Sequence, residues 1–144
     1  MARILLIETS TALLSTAIAE DGKVVCCLES DELRSQASLT AVFIDRMLKE
    51  QGLRVKDFDA VAVSKGPGSY TGLRVGVSTA KGLCFGAGIP LIGIGTLDVL
   101  AAQAREAGEG AGTFLALFFD SLCMTICNAF TNGFKTIHRA TKPL

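Results

Sequence analysis

Residues 58–88 read FDAVAVSKGPGSYTGLRVGVSTAKGLCFGAG. The first seven, FDAVAVS, form a short valine-rich apolar run of the kind that makes a buried strand. From Tyr70 onward the pattern changes to a helical one, with Ser69 or Thr71 available as its N-cap. Between them lies a turn built from Gly66, Pro67 and Gly68, with Gly72 just beyond. A strand, a tight glycine turn and a helix is half of a parallel β-α-β unit, which places the chain among α/β folds. The turn does not match either phosphate-binding pattern. A P-loop needs Lys and then Ser or Thr after its last glycine, whereas Leu73 and Arg74 follow Gly72. A dinucleotide fingerprint spaces its last two glycines three apart, and here Gly68 and Gly72 are four apart.

The helix after the turn carries Gly72, Gly76 and Ala80 on one face, extended by Ser69 and Cys84. Glycine inside a helix costs about 1 kcal/mol relative to alanine, so Gly76 and Gly82 together forgo roughly 2 kcal/mol. Close approach of another backbone offsets such a loss. That backbone belongs either to the same domain or to a partner. The preceding helix, within SQASLTAVFIDRMLKEQGL (35–53), bears on the choice. Its apolar residues include Leu39, Val42, Phe43, Ile44, Met47 and Leu48, more than one buried stripe requires. The two helices together can form a docking surface made of Leu39, Phe43, Met47, Ser69, Gly72, Leu73, Gly76, Thr79, Ala80 and Leu83. On that reading Gly76→Leu abolishes partner binding and leaves the fold largely intact.

Outward from this segment the remaining elements fall into order. RILLIE (3–8) is a strand, and LLSTAIAEDGKVVCCLES (13–30) is a hairpin turning at Asp21-Gly22. The helix of 35–53 has Ser38 as candidate N-cap and Gly52 just past its end. IPLIGI (89–94) is a further strand, and TLDVLAAQAREAG (96–108) a helix with Thr96 as cap. After a GEGAG turn, TFLALFFD and MTICNAFTNGF read as strands, the latter with an Asn132-Gly133 turn. The order βββαβαβα predicts a mixed sheet with helices on its faces, the ribonuclease H-like half from which actin-like (ASKHA) ATPases are built. Residues 1–112 are the expected first domain, and 113–144 the start of a second, incomplete one or an aberrant tail.

Composition narrows the function classes. Fourteen basic residues against fourteen acidic ones give zero formal charge, which disfavours strong nucleic-acid binding by this chain alone. The start, MARILLIETS, lacks the order of a signal peptide, so a cytoplasmic location is expected. Five cysteines lie in apolar runs without the paired spacing of a zinc site, as buried reduced thiols do. His138, the single histidine, cannot form a histidine pair, so no metal site is expected.

ILLIETST (4–11), the DGKV hairpin, VAVSKGPGSYTGLRVGVSTAKGL (61–83) and IPLIGIGTLDVLA (89–101) closely resemble the bacterial TsaB family, YeaZ-type and glycoprotease-like (M22). The resemblance runs from about Met1 to Asp120. It implies an actin-like fold and a part in tRNA threonylcarbamoyladenosine (t6A) biosynthesis at adenosine 37. In that role the chain is a non-catalytic subunit docking a TsaD-type catalytic subunit through the two helices. It implies self-association through the same surface, a TsaE-type ATPase as further partner, and tRNA contact only through the complex. No cofactor of its own is implied, with ATP and Mg possible in the complex.

The catalytic paralogue has a His-x-x-x-His pair where this chain reads LRSQASLTAV (33–42). Two departures from the family bear on function. Glu8 stands where most relatives have Asp, leaving Glu8, Thr9, Ser10 and Asp120 as candidates for weak nucleotide contact. After Asp120 the tail diverges, with Thr125 and Cys127 where Glu and Tyr are expected, and the interdomain nucleotide cleft is not expected to be complete. The alternative class is an enzyme, either a Mg-nucleotide-binding member of the superfamily or a glycoprotease-like peptidase.

Overall fold

The structure, a computed structural model, describes residues 1–31 and 36–107. The expected strands after residue 112, Asp120, His138 and the Asn132-Gly133 turn lie outside the described residues. Five strands form one sheet: β1 (Arg3–Glu8), β2 (Leu14–Glu20), β3 (Lys23–Ser30), β4 (Ala60–Gly66) and β5 (Leu91–Gly95). The helices are α1 (Gln36–Gln51), α2 (Tyr70–Ala87) and α3 (Thr96–Ala107). Strand order is β3-β2-β1-β4-β5. The first three strands pair antiparallel, and β4 and β5 add to β1 in parallel. This is the mixed sheet predicted from the order of elements.

The β2–β3 hairpin turns at Asp21 and Gly22, both with positive φ, as the two-residue turn favoured by sheet twist requires. The β2–β3 register shifts beside Ile18, where Cys26 pairs with Ile18 and Val24 with Ala19. Val25 is the extra residue of this bulge and stands exposed. Cys26 and Cys27 point to opposite faces of the sheet, each packed against a different half of the core.

Strands β1 and β4 are buried on both faces, which is why RILLIE and AVAVS are continuous rather than alternating apolar runs. One face presents Leu5, Ile7, Ile18, Val61 and Val63 to Ile44 and Met47 of α1 and to Ala80 and Cys84 of α2. The other gathers Ile4, Leu6, Ala17, Ala19, Ala62 and Ile94 with Val99 of α3. Because β1, β4 and β5 run parallel, their carboxyl ends lie along one edge, where open α/β sheets place ligand-binding loops.

Helix ends account for three local differences from expectation. Helix α1 is already running at Gln36, so Ser38 lies inside its first turn rather than at its cap. At its other end Gly52 has φ +64°, its N–H donates to Lys49 O, and the Leu53 N–H donates to Leu48 O. That pair of bonds is a Schellman ending. Thr96 is the first residue of α3, and its buried hydroxyl has no hydrogen-bond partner among the described residues.

Candidate functional site

At the carboxyl edge of the parallel strands, Glu8, Thr9 and Ser10 end β1, Ser64 lies in β4, and the 66–69 turn arches over them. Glu8 is buried, and both of its carboxylate oxygens are engaged within the chain. The Ser10 N–H donates to Oε1 at 2.5 Å, and the Ser64 hydroxyl donates to Oε2. The carboxylate thus ties the end of β1 to β4 across 56 residues of sequence. A buried charge needs such donors, because leaving one unpaired costs several kcal/mol.

The glycine turn closes on the same strand end. The Ser69 N–H donates to Ser10 O at 2.6 Å, and a Cβ at Gly68 would overlap that carbonyl. Gly66 has φ +108° and precedes a cis peptide to Pro67. Ser69 then caps α2, its hydroxyl accepting from the Gly72 N–H at 3.2 Å. One turn further, a Cβ at Gly76 would run into Oγ1 of Thr9, a side chain with 0% exposure. The backbone donor of Ser69 is therefore directed into the protein, and the glycines of the turn and of the first half of α2 let that helix sit directly on the end of β1. Thr9 Oγ1, Ser10 Oγ and Thr96 Oγ1 are the buried side-chain polar atoms left without a partner among the described residues.

The row Gly72, Gly76, Ala80 and Cys84 is the buried face of α2. This corrects the sequence expectation for four of the proposed docking residues: Gly72, Gly76 and Ala80 face the sheet, and Met47 is fully buried beneath α1. They are spent on packing within the domain, and Gly76→Leu would drive a large side chain into Thr9. Leu39, Phe43, Leu73, Thr79 and Leu83 are half-buried, and Ser69 is exposed. Leu83 packs against the core on the α1–α2 side of the sheet.

The outward face of α2, half a turn from the small-residue row, carries groups that the sequence reading passed over. Tyr70 is 75% exposed, with the Arg74 guanidinium 5.5 Å from its ring centroid, and Phe85 is 93% exposed. Val42 stands exposed on α1. The signal was present in the spacing: Tyr70, Arg74, Ser78, Lys81 and Phe85 recur at three or four residues on the side opposite Gly72, Gly76 and Ala80.

Burial pushes the Cys84 thiol above its ordinary value, and burial followed by the nearby Glu50 carboxylate does the same for Cys26. Neither is poised as a nucleophile. Among the described residues no three of His, Cys, Asp and Glu gather where they could hold a metal ion, and no described helix is long and apolar enough to cross a membrane.

The family model described as TsaD, tRNA N6-adenosine threonylcarbamoyltransferase, matches residues 33–141. The chain is 37% identical over 114 residues to the tRNA threonylcarbamoyladenosine biosynthesis protein TsaB of Escherichia coli K12, covering 79% of this chain and 48% of that one. It is 42% identical over 84 residues to the tRNA N6-adenosine threonylcarbamoyltransferase of Cereibacter sphaeroides KD131, covering 58% and 23%. Among solved structures, YeaZ from Pseudomonas aeruginosa superposes with TM-score 0.68 at 30% identity, covering 75% of this chain and 51% of that one. The chain spans about half the length of the TsaB relatives it matches. A glycine turn that seats a helix on the end of β1, in an actin-like half-fold shared with these proteins, leads to one assignment: the chain belongs to the TsaD family of tRNA N6-adenosine threonylcarbamoyltransferases, as a relative of its TsaB (YeaZ) members.

Proposed function

We propose that this chain is a non-catalytic partner subunit in tRNA t6A modification, docking a TsaD-type catalytic subunit through the outer surface of α1 and α2. The observation that carries the reading is the outward row of α2, where Tyr70, Arg74 and Phe85 are exposed while the small-residue row is used inside the domain. Exposed aromatic and arginine side chains are the residue types that anchor protein interfaces. The likeness to both TsaB and the transferase over the same half-fold supports the pairing, because related scaffolds can present matching helix pairs to one another about a pseudo-twofold axis. Leu39, Phe43, Leu73, Thr79 and Leu83, half-buried on α1 and α2, belong to this surface in the same reading. A TsaE-type ATPase joins the complex in this reading, tRNA is contacted through the complex, and the cytoplasm is the compartment.

The enzyme alternative has weaker support. A Mg-nucleotide at the carboxyl edge would need Glu8 or its neighbours to face the phosphates. Both Glu8 oxygens are occupied by Ser10 and Ser64, and Gly68 lies against Ser10 where a phosphate would have to approach. The described residues thus lend a nucleotide little support, with Asp120 outside them, and the Ser10 side chain lies beside Gly68 while Thr9 lies beneath Gly76. Glu8 reads as a strut.

Sedimentation velocity of the chain, alone and mixed with a TsaD-type protein from the same source, tests the docking. A faster mixed species is expected. A mixture that sediments as its separate components overturns the reading, and heat released on titration with Mg-ATP would revive the enzyme alternative.

A further inference from the structure

The turn between β2 and β3 carries a reactive pair of residues and a contact that restrains it. Asp21-Gly22 is the one Asp-Gly step in the sequence. Asp21 is exposed and Gly22 half-buried, and both have positive φ, +48° and +79°. Aspartate tolerates that conformation and glycine adopts it freely. The Ala2 N–H donates to Asp21 Oδ1 at 2.7 Å, and the Asp21 N–H donates to Ala2 O at 2.9 Å. This reciprocal pair ties the residue before β1 to a turn 19 residues further on. The turn itself does not require it. Aspartate followed by glycine is also the pairing in which a side-chain carboxyl group meets the next backbone nitrogen most easily, because glycine has no Cβ to shield that nitrogen.

We propose that Asp21-Gly22 is a site of spontaneous isoaspartate formation, and that its tie to Ala2 sets the rate. The Gly22 backbone nitrogen attacks Cγ of the protonated Asp21 carboxyl group. A Cγ–N bond forms, a Cγ–O bond breaks, and the hydroxyl leaves with the amide proton as water. The product is a five-membered succinimide. Water then opens one of its two carbonyls. Opening at Cγ restores aspartate. Opening at the original backbone carbonyl breaks its C–N bond and leaves the chain running through Cγ. One water is lost and one regained, so no oxidant or cofactor is consumed.

Attack requires Cγ to turn towards the Gly22 nitrogen. While Oδ1 accepts from Ala2, the carboxylate is held towards the start of β1 instead. Reactions slow steeply when the reacting atoms are kept out of line, so the tie protects the turn. Isoaspartate adds a carbon to the backbone of a two-residue turn and moves the carboxylate onto Cα, which removes the acceptor from the Ala2 N–H. Arg3 still holds the strand, its N–H donating to Asp59 Oδ2 at 2.7 Å and its Nε to Glu20 Oε1 at 2.6 Å. The aged chain therefore stays folded with a loosened first residue ahead of β1.

The test keeps the full chain at neutral pH in heavy-oxygen water for several weeks, both native and in guanidinium chloride, and then digests it in ordinary water. Trypsin cuts after Arg3 and Lys23 and delivers the turn in one peptide, residues 4–23. Succinimide opening leaves heavy oxygen in that peptide, and electron-transfer fragmentation tells isoaspartate from aspartate. Label is expected at Asp21 in both samples, about tenfold or more slowly in the native chain. Ala2→Pro removes the N–H and keeps the carbonyl, and it is expected to raise the native rate about threefold or more with circular dichroism unchanged. Asp21→Glu has to close a larger ring and is expected to take up no label at that position.

If native and unfolded chains label Asp21 equally fast, or if Ala2→Pro folds and labels at the wild-type rate, the tie does not set the rate and the inference falls. A native chain that takes up no label while the unfolded chain does also overturns it. Should Ala2→Pro fail to fold, hydrogen exchange of the Ala2 amide in aged wild type decides. The isoaspartate fraction is expected to lose the protection that the fresh chain shows, and equal protection in both refutes the inference.

Discussion

Gly76→Ala is the substitution on which the packing account of α2 depends. By helix propensity alone it should stabilise the protein by about 1 kcal/mol. The structure gives the opposite sign. The new methyl would overlap Thr9 Oγ1 and stand 3.3 Å from Thr9 Cβ and 3.4 Å from Cγ2. Thr9 has 0% exposure and cannot swing its branch into solvent. Overpacking of this kind costs about 1–3 kcal/mol, and the contact with a fully buried branched side chain places it towards the upper end. Subtracting the propensity gain leaves a net loss of about 1–2 kcal/mol, or roughly 3–8 °C in Tm for a chain of this size.

A double-mutant cycle with Thr9→Ala separates this clash from any general effect on the helix. Thr9→Ala removes Oγ1 and Cγ2 and opens room beside residue 76, and the lost hydroxyl has no hydrogen-bond partner among the described residues. The double variant is expected to recover most of the loss, with a favourable coupling of about 1–3 kcal/mol. Gly82→Ala is the control: it meets open space and should raise Tm. Thermal unfolding followed by circular dichroism reads all four proteins. If Gly76→Ala melts at or above wild type, or if the cycle is additive to within about 0.5 kcal/mol, α2 does not rest on Thr9 and the assignment of its buried face is wrong.

Glu8→Ala leaves the Ser64 hydroxyl and the Ser10 N–H without their acceptor at a buried site, and chemical denaturation should show a loss of about 3 kcal/mol, with Glu8→Gln losing less. The buried Cys84 thiol, with its pKa raised, should resist iodoacetamide at neutral pH until the protein unfolds; mass spectrometry of native and denatured samples decides this. Asp57 accepts from the Arg54 backbone N–H at 2.8 Å, and this bond, followed by the Arg54 side chain, holds its carboxyl below the ordinary value. Its contribution to stability is therefore complete above the unfolded carboxylate range and disappears as pH falls through the lowered folded value. Asp57→Asn should accordingly lower Tm near neutral pH and make little difference in strong acid.

Much of the architecture could be read before any coordinates because local chemistry and fold agree. Asp21-Gly22 admits the one turn that joins two twisted strands directly, and FDAVAVS gives way to a helical pattern at the glycine turn. The orientation of α2 was not readable in the same way. A row of small residues at four-residue spacing means close approach, and it has the same appearance whether the approaching group lies inside or outside the domain. Only the position of Thr9 beneath Gly76 decides between them. The Glu8–Ser64 tie was equally hidden, because 56 residues separate its partners and nothing local marks either as half of a pair. The outward row from Tyr70 to Phe85 was hidden by emphasis, since the small residues drew the reading to the opposite face.

The glycines of the turn and of α2 fall into two classes by what surrounds them. Gly66, Gly68 and Gly76 meet Leu73, Ser10 and Thr9 within the chain, and their smallness is fully used in seating the first half of the helix on the end of β1. Gly82 and Gly86, in the same helix, have nothing within 4 Å of a built Cβ among the described residues. A substitution scan along α2 should then follow the face of the helix, because Cys84 beyond Ala80 still belongs to the buried row. Enlarging an inward position costs stability, and enlarging an outward glycine such as Gly82 adds it. The fold thus holds the first half of α2 through contacts that leave no room for a side chain, and it places no such demand on Gly82 and Gly86 among the described residues.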